Sequence, residues 1–228
     1  MDAMESYGKS VDVLERELQA ILGVLGSLSD QEWMLRTNLD PVDPGLPRWS
    51  LFELAGHLDI SIGLTRMLIA DPRAGQVGRD RVSFFISPRS EVAPVVYDYA
   101  YTMVQGKTPA DMPGVLAGTF GRVIEEARAS PPSLVGPGYF ALMELLEFVP
   151  SRVVEAVVHG LDLTDPIGRE PVATPEGVAL CAAILDQLLA RRTVPGRPAD
   201  LSDDLAWIRA AAGRRPGGHP DPRLPLIG

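Results

Sequence analysis

The chain has 228 residues and a formal net charge of −9, from 21 basic and 30 acidic side chains, a sign that argues against nucleic acid or an anionic membrane as the main partner. Hydrophobic residues make up 46% and charged residues 22%, enough for a sizeable core in one large domain or one domain with an extension. No apolar run reaches the roughly 18 residues of a membrane span, the acidic N-terminus lacks the basic-then-apolar order of a signal peptide, and the single Cys181 excludes an intramolecular disulfide or a multi-cysteine metal knot, so the expected location is the cytoplasm.

In chain order, Val11, Leu14, Leu18, Ile21, Leu22 and Leu25 repeat at helical spacing and predict an amphipathic helix over 11–26. Residues 37–48, rich in proline and aspartate, read as a loop. Ser50-Leu51-Phe52-Glu53 is a capping box that opens a helix to about Ala70, where DPRAG stops it. Residues 71–93 read as a loop with room for a small strand at Val82–Ile86, and 94–105 as a third helix. Thr108 and Pro109 supply an N-cap and a first-turn proline for a helix to about Ala129. Residues 139–164 have helical period but contain Pro150, which predicts a kink or a restart at Ser151. A further helix runs from Thr174 to about Arg192, and Ser202 caps a last short one ending at Gly213, before a proline- and glycine-rich tail. The expectation is an all-α protein: a helical bundle over 1–165 and a small, mainly helical extension with an irregular tail over 166–228.

The three histidines carry the chemistry. In VVEAVVHGLDL, Glu155, His159 and Asp162 are spaced four and three apart and share one helix face, which Arg152 extends. That face is either the solvated side of the helix, with Arg152 an exposed surface arginine, or a buried one. The segment is apolar around most of its circumference, which suits burial, and a buried Glu-His pair needs partners, of which a metal ion satisfies both. His57 lies mid-helix in another apolar setting, LFELAGHLDI. Alone it is a core histidine. With Glu155 and His159 it makes two imidazoles and one carboxylate, the donor set of a catalytic zinc site with an open position, and acceptable to nickel or ferrous iron. Glu53-x-x-x-His57 repeats the spacing, but Glu53 is already used by the capping box, and two-metal bundles use more carboxylates. His219, in the tail, is expected to be exposed and apart from the site.

Trp33, then RWSLFELAGHLD with His57, then EAVVHGLDL with Glu155 and His159 resemble the DinB-like superfamily, and more narrowly the mycothiol-dependent maleylpyruvate isomerase family, over about residues 10–165. The resemblance implies a DinB-like four-helix bundle holding a divalent metal, usually zinc, on His57, Glu155 and His159. It also implies a low-molecular-weight thiol, mycothiol, as cosubstrate, activated as a metal-bound thiolate toward a small electrophile in S-transfer or isomerisation. In the family a C-terminal arginine helps to bind an acidic substrate; Arg209 and Arg214 in WIRAAAGR are the candidates for such an anion contact, although no motif selects between them. Asp162 would orient a ligand histidine from behind or cap the helix.

Cys181 sits in an aliphatic helix and reads as a small buried hydrophobe, not a nucleophile. Tyr97, Tyr99 and Tyr101 read as core packing, with a lid over the cleft as the alternative. Two other functions stay open at this point: a metal-dependent hydrolase on the same donors, and a non-catalytic bundle whose pocket only binds a ligand.

Overall fold

A computed structural model describes residues 3–39, 45–86, 89–193 and 195–227. Of the loop expected at 37–48, residues 40–44 lie outside the described residues. Among the described residues eight α-helices follow in order: α1 Ala3–Leu25, α2 Asp30–Trp33, α3 Leu51–Ala70, α4 Arg89–Val104, α5 Met112–Ala129, α6 Leu145–Thr164, α7 Pro175–Arg192 and α8 Asp204–Ala211. Helices α1, α5, α3 and α6 pack each against the next around a ring, which makes the four-helix bundle; α4 lies on the outside of α3. Helix α7 packs on α6 and α1, and α8 on α7. The expected all-α bundle with a small helical extension is what the chain forms.

The capping box at Ser50 folds as read. The Ser50 hydroxyl accepts from the Glu53 amide and the Glu53 carboxylate accepts from the Ser50 amide at 2.6 Å, which fixes where α3 starts and therefore the height of His57 within it. Other expectations shift. Helix α1 begins at Ala3, about two turns earlier than its apolar stripe. Thr108 caps a short 3₁₀ turn over Pro109–Asp111 that leads into α5, and Asp203, not Ser202, caps α8 by accepting from the Ala206 amide at 2.8 Å. Val82–Ile86 forms a 3₁₀ turn at Ser83–Phe85 instead of a strand.

The short helix α2 and a hairpin have no counterpart in the sequence reading, and Pro150 behaves otherwise than expected. The strands β1 Val135–Pro137 and β2 Leu142–Glu144 form an antiparallel hairpin, Val135 opposite Glu144, and each is too short to show an alternation. Gly136 allows this hairpin to lie on the end of α3, since a Cβ there would come within 2.2 Å of the Leu68 carbonyl oxygen. Helix α6 also runs through Pro150 without a restart. Proline removes the amide that would bond the carbonyl four residues back, and Arg81 donates to that carbonyl, Leu146, at 3.4 Å, so the break in the ladder has a substitute partner.

The extension is latched to the bundle by Glu17, a buried carboxylate on α1. It accepts from the Thr174 amide at 2.9 Å and from the Thr174 hydroxyl, the N-cap of α7. Burial raises the pKa of Glu17 more than these bonds lower it.

Helix α3 offers a matched pair of glycines. A Cβ on Gly56 would meet the Ala100 carbonyl oxygen of α4 at 2.6 Å, whereas one on Gly63 would make an ordinary contact with Thr119 at 3.6 Å. Gly56→Ala is expected to cost about 2 kcal/mol through overpacking, a fall of roughly 4–8 °C in Tm for a chain of this size. Gly63→Ala should leave thermal unfolding unchanged or raise it slightly through helix propensity.

Candidate metal centre

Helices α3 and α6, neighbours in the bundle, bring His57, Glu155 and His159 together. Nε2 of His57 lies 3.5 Å and Nε2 of His159 lies 3.4 Å from the same carboxylate oxygen, Oε2 of Glu155. The two imidazoles meet edge to face at 4.6 Å between ring centres. Among the described residues this is the one group of three such side chains whose donor atoms all lie within 4.8 Å of each other. Ligands that each stand about 2.1 Å from a tetrahedral ion are about 3.4 Å apart, so both separations suit a single cation.

The surroundings of His159 fix which of its ring nitrogens is turned to Glu155. Nδ1 of His159 donates to Oδ2 of Asp162 at 2.9 Å. Asp162 is 1% exposed and is clasped by Arg214, whose Nε donates to Oδ1 and whose terminal nitrogen donates to Oδ2, each at 3.0 Å. Burial alone would raise the Asp162 pKa, but Arg214 and His159 together hold it far below the usual carboxylate range. Asp162 can then only accept, so Nδ1 of His159 carries a hydrogen and Nε2 is the nitrogen turned to Glu155. Burial lowers the pKa of His159, yet the bonds to Asp162 and Glu155 outweigh it and the net shift is upward. Burial dominates at His57 and moves its pKa down. Burial pushes Glu155 up, but the two histidines and Arg152 bring it well below its ordinary value.

His57 is held differently. Its ring stacks on Trp49 at 5.0 Å, and Trp49 stacks in turn on Tyr97 at 6.2 Å. Its Nδ1 is buried with no hydrogen-bond partner, so the polar company of this imidazole lies on the Nε2 side alone. Two ring nitrogens and a carboxylate oxygen meet in this largely buried place, and a divalent cation would satisfy all three donors at once. The residues present fit such an ion.

The three groups form one wall of a cavity of about 920 Å³. Tyr97 and Tyr99 also line it. Tyr97 packs as expected, its hydroxyl donating to the Pro47 carbonyl at 3.0 Å and lying 3.0 Å from the Tyr101 hydroxyl, but Tyr99 is 46% exposed and is not a core residue. Arg214 lines the cavity while bonded to Asp162. Arg209 is paired with Asp165 at 2.5 Å and is not among the lining residues. Glu53 remains in its capping box.

Two expectations fail. Arg152 is not a surface arginine: it is 1% exposed, with Phe84 and Phe148 over its guanidinium at 4.6 and 4.7 Å. One terminal nitrogen donates to the Ser61 carbonyl at 2.9 Å, and the other two nitrogens donate to the Ser151 hydroxyl. Its face of α6 turns inward because the helix is covered on several sides, and aromatic rings with a backbone carbonyl stand in for water. His219 is not exposed either: its side chain is 3% exposed, Nε2 lies 3.2 Å from Asp200, and Nδ1 accepts from the Asp221 amide at 3.1 Å. It pins the tail and takes no part in the triad. Cys181 is fully buried, and burial drives its thiol pKa far up, in keeping with its reading as a hydrophobe.

No family model matches the sequence, and no curated protein does. Among solved structures the chain is similar to the mycothiol-dependent maleylpyruvate isomerase. A histidine-to-alanine mutant of that enzyme superposes with a TM-score of 0.62 at 15% identity. The crystal structure of the enzyme itself gives 0.59 at 16% identity. Each comparison covers 93% of this chain and 91% of the other. At that identity the likeness shows a shared fold.

Arg152→Ala would remove the bonds to the Ser61 carbonyl and the Ser151 hydroxyl and leave a void between two rings, so a loss of about 3 kcal/mol is expected in urea unfolding; a change under about 0.5 kcal/mol would mark a surface residue. Cys181 should stay unmodified by a thiol-specific disulfide reagent in the native protein and react fully in denaturant.

Proposed function

We propose that this chain is a divalent-metal-dependent enzyme that uses a low-molecular-weight thiol, mycothiol first, on a small electrophile, by S-transfer or by isomerisation. The observation that carries the reading is the meeting of His57, Glu155 and His159 around one small volume at the wall of a large cavity. The shared fold with an isomerase described as mycothiol-dependent supports the thiol. Zinc is the first choice of metal, with nickel and ferrous iron also compatible with two imidazoles and a carboxylate.

A divalent ion held there supplies positive charge that lowers the pKa of a bound thiol from its usual value near 8.5. The protein's own residues set up the rest. Asp162 keeps the proton of His159 on Nδ1, and Arg214 keeps Asp162 ionised and aimed, a role from behind the donors instead of a direct contact to substrate. Trp49 fixes the plane of the His57 ring. The apolar walls exclude water from the reacting atoms, which strengthens every charge interaction among them. In the transfer reaction the S–H bond breaks and an S–C bond forms. Either a leaving group departs from that carbon, or the proton goes to the neighbouring carbon of an activated double bond. In the isomerisation the S–C bond forms, the former double bond rotates, and the S–C bond breaks again. The hydrolytic alternative has less support, because among the described residues Glu155 is the one carboxylate that lines the cavity, and as a metal donor it would not be free to act as a general base.

Thiol consumption in the presence of an electrophile tests the reading. A chelator should abolish it and zinc restore it. His57→Ala, Glu155→Ala and His159→Ala should each abolish it while the chain stays folded, and His219→Ala should retain it. Thiol-independent hydrolysis of an ester or amide by the same donors would contradict it. Asp162→Asn and Arg214→Met should each weaken metal retention against a competing chelator, the former by about 10–100-fold.

A further inference from the structure

The triad does not use every buried polar group of the cavity wall. Ser61 and Arg152 line the same cavity and are 5% and 1% exposed. They lie one helical turn from the donors on each helix, Ser61 four residues after His57 on α3 and Arg152 three before Glu155 on α6. The bond from Arg152 to the Ser61 carbonyl, at 2.9 Å, holds the two together across the helix interface.

Both residues have hydrogen-bonding capacity to spare. The Ser61 hydroxyl is buried and has no partner among the described residues. Each nitrogen of the Arg152 guanidinium makes one bond in the protein, to the Ser61 carbonyl or the Ser151 hydroxyl, and each terminal nitrogen carries a second hydrogen. These acceptors are neutral, two rings cover the guanidinium, and no carboxylate among the described residues bonds it. Its charge is therefore sheltered but not cancelled. That charge reaches the triad: burial raises the pKa of Glu155, and the bonds to the histidines and then the charge of Arg152 bring it down. A hydroxyl and an uncancelled guanidinium, both shielded from bulk water, suit an oxygen on which negative charge builds up. An electrophile conjugated to a carbonyl has such an oxygen, at the far end of the conjugated run from the carbon that a nucleophile attacks. The separation of one helical turn, about 5 Å, between the donors and this pair fits that length.

We propose that Ser61 and Arg152 form an oxyanion site, and that the electrophile of this cavity is an α,β-unsaturated carbonyl compound whose oxygen they hold. This rests on the thiol-using reading of the triad for the reaction, and on the wall alone for the binding of the oxygen. In the addition the thiol proton goes to buffer and the S–C bond forms at the β-carbon. The electron pair of the C=C bond moves through the carbonyl to its oxygen, where the Ser61 hydroxyl and the Arg152 guanidinium meet the charge. The pair then returns, either to take a proton at the α-carbon, which completes transfer, or to expel sulfur after rotation, which completes isomerisation.

A phenolate oxygen resembles that of an enolate, and 4-nitrophenolate is coloured, so its binding to the zinc-loaded protein is followed by visible absorption without thiol or turnover. Ser61→Ala should weaken phenolate binding about tenfold and leave zinc content and urea unfolding unchanged, since the hydroxyl makes no bond within the protein. Arg152→Lys keeps a positive charge but not the planar fork, and should weaken binding at least as much. Failure of the phenolate to bind the unaltered chain overturns the proposal. So does equal affinity in the unaltered chain, Ser61→Ala and Arg152→Lys, which would place the phenolate on the metal. In a second arm, mycothiol adds to the uncharged enone 4-phenylbut-3-en-2-one, read as loss of the conjugated absorption. Ser61→Ala should lower kcat about tenfold at unchanged zinc content, and an unchanged kcat overturns the proposal. Phenolate binding that depends on Ser61 and Arg152, without turnover with any thiol, would sustain the oxyanion site while contradicting the thiol-dependent function.

Discussion

The structure turns on two imidazole nitrogens that face one carboxylate oxygen, at 3.4 and 3.5 Å, at the largely buried wall of a cavity. A divalent cation would satisfy all three groups at once. Much of the surrounding architecture serves to keep them there. The capping box at Ser50 sets the start of α3, Gly56 lets α3 sit close on α4, Trp49 clamps the His57 ring, and the chain of Arg214, Asp162 and His159 sets the other imidazole. Donors that are oriented before a ligand arrives lose little freedom on binding it.

That orienting chain also explains why the last sixty residues matter to a site built on the bundle. Arg214 follows α8, far along the polypeptide, yet it closes on Asp162 inside α6. Glu17 ties α7 to α1 through Thr174, and Arg192 holds the end of the chain against the cavity wall. The extension therefore supplies both the support of one donor and part of the cavity. A buried arginine–aspartate pair is a weak contributor to net stability; its use here is to hold geometry, because loss of either partner would leave the other uncompensated.

Much of this was legible in the sequence, and the limits have physical causes. The helices that carry the donors announced themselves through period and caps: Ser50 with Glu53 placed His57, and the four-residue step from Glu155 to His159 put both on one face. The bundle and its extension followed from the same signals. Arg152 was misread because a helical face shows only that residues point the same way, and whether that way is outward depends on what covers it. In α6 the neighbours are Phe84, from a loop that carries no periodic signal, and α3. Pro150 looked like a break because the donor that compensates for it, Arg81, comes from another part of the chain. The three-residue strands lie below the length at which an alternation can be read. His219 seemed free in a tail full of proline and glycine, yet Asp200 and the Asp221 amide hold both of its nitrogens. Where local chemistry decides, the sequence was enough; where a distant partner decides, it was not.

The most direct measurement is the divalent metal content of protein purified without a histidine tag and then dialysed against zinc, nickel or ferrous iron in turn. One tightly held ion per chain is expected. A folded chain that retains none of the three metals would contradict the account, and the triad would then be a polar cluster of a helical protein and nothing more.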